Sequence, residues 1–181
     1  MSTLAILFAA AQAVVAPGSH MSQACLAIDA VPPRGAHNRA EQRSRRGPRF
    51  STARTVDLEL RVQMRPSLQG DHLLHLKLFT PRGFLYQEMT IPFRFDARHS
   101  WKRSAEHPAS MRVPGFPRPL LIQSLEMPDH GRPAADRVTA RLPVAGTSIA
   151  LGSLFGRWTA VPFLDDATAP CGGAGSFVIA E

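Results

Sequence analysis

The sequence predicts an all-β fold, a single two-sheet β-sandwich of about six or seven strands behind a disordered N-terminal segment. Three observations predict it. Apolar and polar residues alternate strictly over nine residues from Val56 to Met64, the period of a strand with one buried face. Sixteen prolines and thirteen glycines in 181 residues punctuate the chain into short elements. Nowhere after Thr55 do apolar positions recur at helical spacing.

The elements follow in order. In the first strand Val56, Leu58, Leu60, Val62 and Met64 share a face, opposite Asp57, Glu59, Arg61 and Gln63. Pro66 and Gly70 break the chain before a second strand over 71–79, with Leu74, Leu76 and Leu78 on one face. Thr80-Pro81-Arg82-Gly83 has the residues of a tight turn. The chain then returns over 84–95 to make a hairpin. Leu85, Met89, Ile91, Phe93 and Phe95 share a face interrupted by Gln87. Pro92 has no N–H to give a ladder, so this strand is expected to bulge there or lie at an edge.

Residues 96–136 read as a long loop, polar at first and then proline-rich, with a short strand over 120–122. A loop of this length in a small domain is the first place to look for a binding surface. Alternation resumes over 137–142; Pro143 to Gly146 turns the chain, and 147–151 reads as another extended piece. Strands over 159–164 and 177–179 follow, separated by Asp165-Asp166 and by the glycines of 172–175.

The ending carries a resemblance. Leu142-Pro-Val-Ala-Gly-Thr147, then Gly156-Arg-Trp158, an aspartate turn and Phe177-Val-Ile179 resemble the last strands of immunoglobulin-like, fibronectin-III-like and macroglobulin-type modules in uncharacterised secreted bacterial proteins. Over residues 55–181 the resemblance implies an immunoglobulin-like sandwich in an extracytoplasmic setting. It carries no catalytic residue.

The formal charge of +7 is concentrated: the stretch 34–54 holds seven arginines against Glu41 and accounts for +6 of it. The basicity therefore belongs to a segment and not to the domain, and nucleic acid is not an expected partner. Nineteen of the 21 basic residues are arginine, which with abundant Ala and Pro reads as a GC-rich genome. Residues 1–24 form an apolar signal-like segment. The 13-residue run from Leu4 to Ala16 is shorter than the roughly 20 residues a membrane-spanning helix needs, and has the length of a signal-peptide core. No Lys or Arg precedes it. Residues 25–54 read as a disordered Arg/Pro-rich linker without hydrophobic periodicity. The folded domain is expected over 55–181.

Cys25 and Cys171 are the only cysteines. They form either a disulfide or two unrelated thiols. Ser22-Gln-Ala-Cys25 is a weak lipoprotein box, and membrane attachment is expected only if Cys25 is lipidated. No cysteine pair has zinc-ligand spacing. His72 and His75, three apart on a strand, point to opposite faces and are expected to be surface histidines and not a chelating pair. His99, His107 and His130, with Asp96, Glu106 and Asp129, are residue types that could serve zinc or acid–base chemistry, though their spacing follows no ligand rule. Asp165-Asp166 reads as a solvated turn. Trp158 reads as core. No phosphate loop and no Gly-x-Ser-x-Gly motif is present. No catalytic residue, metal ligand or cofactor is assigned. The candidate surface contact is Trp101 with Lys102 and Arg103.

The expected function is that of a non-enzymatic, exported binding or accessory domain with a protein or glycan partner. Two alternatives remain open: a metal-assisted enzyme built on 96–136, and nucleic-acid or anionic-membrane binding through the basic arm 34–54.

Overall fold

The computed structural model describes residues 23–32, 47–65, 67–95, 101–103, 108–122 and 137–181. They form eleven strands and one short helix: β1 (Cys25–Val31), β2 (Arg49–Ser51), β3 (Asp57–Met64), β4 (Gly70–Phe79), β5 (Leu85–Phe95), β6 (Trp101–Arg103), β7 (Ser110–Arg112), β8 (Leu120–Leu121), β9 (Arg137–Pro143), α1 (Ser148–Leu151), β10 (Gly156–Leu164) and β11 (Gly175–Ala180). A small sheet runs β1-β3-β9. A large one runs β2-β11-β10-β4-β5-β7-β8, with β6 also on β5. The fold is an all-β sandwich.

Alternation in the sequence builds the core directly. Leu58, Leu60, Val62 and Met64 of β3 and Val138, Ala140 and Leu142 of β9 form the inner face of the small sheet. They join Leu74, Leu76, Leu78, Met89, Ile91, Phe93, Trp158, Phe177 and Ile179 in a single buried cluster. Trp158 stacks on Phe177 at 6.3 Å, meets Tyr86 edge-on at 5.1 Å, and donates its indole N–H to the carbonyl of Leu154 (3.0 Å). An aromatic of this size is buried here without leaving its polar atom unsatisfied. The turn at 80–83 forms as its residues predict: the Gly83 amide bonds the Thr80 carbonyl at 2.9 Å, and Gly83 takes a φ of +82°.

Four expectations are corrected. First, residues 25–54 are not a uniform linker. β1 pairs antiparallel with β3, and β2 pairs parallel with β11, seating Phe50 against Phe177 at 6.4 Å. Both strands bring buried apolar side chains, among them Ala30 and Phe50, to the core, which is what holds so basic a stretch. The sandwich thus includes residues upstream of Thr55. The expectations for 1–22 and 33–46 fall outside the described residues. Second, 147–151 is not extended. The Thr147 hydroxyl accepts the Ile149 amide (3.2 Å) and donates to the Val144 carbonyl (2.7 Å), capping α1. Third, 96–136 holds more than the one short strand expected over 120–122: that strand is β8, and β6 and β7 lie within the segment as well. Fourth, these additions raise the strand number above six or seven.

Pro92 shows how β5 is accommodated. Its partner Leu73 directs both N–H and C=O away from β5, to Asp165 (2.8 Å each). Leu73 and Pro92 are therefore a non-hydrogen-bonded pair, and the proline nitrogen faces the far side of β5. There β7 pairs only as far as Thr90 and β6 begins at Phe93, so no N–H is required between them. The strand stays in register at Pro92. Its irregularity falls at Tyr86 instead, where the pairing shifts between Leu78 and Phe79.

Candidate binding edge

The far side of β5 ends in a hairpin of β7 and β8 that closes the large sheet among the described residues. Its base is anchored. Ala109 is fully buried, Met111 and Ile122 pack on the core, and the Ile122 amide bonds the Ala109 carbonyl at 2.9 Å. β7 is held in register by Glu88↔Arg112, Met89↔Met111 and Thr90↔Ser110.

Its tip is a Pro-Gly turn. The Phe116 amide bonds the Val113 carbonyl at 3.1 Å, and Gly115 takes a φ of +87°. Pro114 followed by a positive-φ glycine is the geometry of a type II turn. Phe116 stands after it, 60% exposed, and Leu120 and Leu121 are 43% and 67% exposed. Register assigns the two leucines to opposite faces, Leu121 opposite Ser110 and Leu120 opposite Met111. Between Pro108 and Ile122 the only charged residues are Arg112 and Arg118.

The outer faces of the two sheets differ. On the small sheet Asp29 lies across from Arg61 and Glu59 across from Arg141, with an Arg61–Glu59 ion pair at 2.6 Å. That face is a mixed, hydrated surface. On the large sheet one cross-strand row runs Phe163, His75, Thr90, Ser110, Leu121. His75 Nδ1 meets the Thr90 hydroxyl at 2.9 Å, and the Lys77 ammonium sits 4.5 Å above the Phe163 ring. This half-apolar row leads to the β8 edge.

The residues singled out in sequence separate as follows. The backbone of Trp101, Lys102 and Arg103 forms β6, collinear with β7 along β5; the orientation of their side chains lies outside the described residues. His99, His107 and His130, with Asp96, Glu106 and Asp129, also lie outside them. His72 and His75 fall on opposite faces of β4, as strand spacing requires. His72 Nδ1 meets Asp165 at 2.9 Å, and Nε2 meets the Gln69 carbonyl at 3.2 Å. The ring thus clasps the end of the sheet. Asp165 turns the chain at a φ of +51° while Asp166 is exposed. Among the described residues, no three His, Cys, Asp or Glu side chains gather in a group able to hold a metal ion. Gly172 and Gly175 serve packing: a Cβ on Gly172 would overlap the Cys25 carbonyl, and one on Gly175 would come within 2.6 Å of Ile28 Cβ.

Sequence reasoning missed Phe116, Leu120 and Leu121. An apolar pair in a strand usually signals burial, but β8 stands at the end of the sheet among the described residues, where this pair is exposed. Comparison with protein-family models, with curated proteins and with solved structures finds no match.

Proposed function

We propose that the chain is a non-enzymatic, exported bacterial binding or accessory domain, an immunoglobulin-like sandwich that engages its partner through the β7–β8 edge. One observation carries the reading. Phe116, Leu120 and Leu121 are exposed together on a hairpin whose base is firmly packed. An exposed apolar projection costs solubility, and a partner that covers it offsets that cost.

Export is supported by the disulfide between Cys25 and Cys171, a bond that persists in oxidising compartments. The apolar run Leu4–Ala16 fits a signal sequence that delivers the chain there. A sulfur held in this disulfide cannot also carry a thioether, so lipidation at Cys25 is not part of the reading.

Two measurements test it. In cells secreting the full chain, a photo-crosslinking residue at position 121 is expected to give a discrete adduct, and one at Thr139 on the charged face none. Adducts of equal yield at both positions, or at neither, would remove the binding edge. Thiol trapping of the cellular protein is expected to find both cysteines blocked, and free thiols would remove export.

A further inference from the structure

We infer that the partner of the β7–β8 hairpin is an anionic lipid surface, into whose interface the hairpin tip inserts. The inference rests on the binding-edge reading and names the partner.

The distribution of the apolar side chains decides between a protein and a lipid. Leu120 and Leu121 project from opposite faces of β8, and Phe116 stands exposed just after the tip turn. A protein docking on one face would leave the other face wet. Immersion in a fluid apolar layer covers the tip and both faces at once. The insertion is shallow, on the order of 5–10 Å for interfacial elements, which suits a hairpin with two or three residues per strand.

The backbone also suits it. Entering the interface removes water from peptide groups, which is costly where an N–H is left without a partner. Pro114, Pro117 and Pro119 have no N–H, and the Phe116 amide is already bonded to Val113. The charge fits as well. Between Pro108 and Ile122 there is no acid, and Arg112 and Arg118 are exposed on either side of Phe116. By register Leu120 lies opposite Met111 and Leu121 opposite Ser110, so Phe116 leads, Arg112 and Arg118 come next and meet lipid phosphates as the tip enters the acyl boundary, and the two leucines follow on either face. The nearest acid by register is Glu88, opposite Arg112. Among the described residues no helix is long and apolar enough to cross a membrane.

The test is co-sedimentation of the full chain with vesicles of phosphatidylcholine alone and with vesicles containing phosphatidylglycerol. Binding is expected only to the latter. Phe116→Ser and Leu121→Ser are each expected to weaken it about tenfold, the effect of withdrawing most of one large side chain from an apolar phase. Arg112→Gln and Arg118→Gln should each weaken it about fivefold. Leu151→Ser removes another exposed leucine, on α1, at 81% exposure, and is expected to leave binding unchanged. All five variants should unfold at the wild-type urea concentration, because each changed side chain is exposed. Binding that survives Phe116→Ser/Leu121→Ser but is lost on replacing Arg39, Arg43, Arg45 and Arg46 by Gln would overturn the inference in favour of the basic arm. A protein adduct from position 121 in cells, without vesicle binding, would overturn it while leaving the binding edge in place. Absence of any adduct at position 121, with lipid or with protein, would remove the binding edge and this inference with it.

Discussion

Cys25 and Cys171 are 146 residues apart in sequence and are joined by a disulfide with a Cα–Cα distance of 5.2 Å. The Cys25 amide also donates to the Cys171 carbonyl at 2.8 Å. The Cys171 amide in turn donates to Pro162 of β10 at 3.0 Å. The first strand of the small sheet is thereby tied to the large sheet through the loop ahead of β11.

Breaking this tie is expected to destabilise the domain. A cross-link closing so long a loop contributes about 2–5 kcal/mol, chiefly by restricting the unfolded chain. The Cys25→Ala/Cys171→Ala variant should lose that much in urea unfolding. The amides of Ile28 and Ala30 should exchange with deuterium faster than those of β3. Unchanged unfolding would show that β1 is held by its ladder to β3 alone.

The glycines next to this tie should be unequal. Gly172 and Gly175 have no room for a Cβ, whereas Gly173 has nothing within 4 Å. Gly172→Ala and Gly175→Ala are expected to cost about 1–3 kcal/mol each, as overpacking does. Gly173→Ala should be neutral within about 0.5 kcal/mol. Equal effects at all three positions would mean that the close approach of β1 does not constrain this loop.

The contrast between β3 and β1 explains what the sequence made legible. In β3 every second residue is buried without interruption, so the period is visible. In β1 the pairing with β3 shifts between Cys25 and Ala27, leaving Leu26 unpaired, 49% exposed and out of phase. A bulge erases the alternation on which strand recognition depends. β2 has only three residues, too few for any period, and it is defined by its long-range partner β11. The β7–β8 hairpin was legible in part. Residues 96–136 were singled out by length, yet exposure of Leu121 goes with β8 ending the sheet among the described residues, a fact of topology and not of local pattern.

Asp165 is predicted to matter for stability through its carboxylate. One oxygen accepts the Leu73 amide at 2.8 Å and the other meets His72 at 2.9 Å. Asp165→Ala removes both acceptors and leaves a residue with no polar side chain to support a φ of +51°, so a loss of about 1–2 kcal/mol is expected. Asp165→Asn keeps an acceptor for Leu73 and is a residue type that tolerates positive φ, so it should lose less than half as much. Urea midpoints of the two variants decide the matter. A loss as large for Asn as for Ala would assign the effect to charge and not to the backbone hydrogen bond.

Gln87 is predicted to be replaceable with a gain in stability. It lies opposite Leu78 on the core side of β5, is 4% exposed, and its Nε2 has no hydrogen-bond partner. A buried amide donor left unbonded costs about 1–3 kcal/mol. Methionine has nearly the same length and volume, bends to fit irregular space and carries no donor. Gln87→Met should therefore raise stability by about 1 kcal/mol, because part of the gain is offset by whatever the amide oxygen now accepts. Chemical denaturation and thermal unfolding should both move upward. A destabilised Gln87→Met variant would show that the amide is held in a polar network essential to the sandwich core, and that the unbonded nitrogen is the smaller part of its energy.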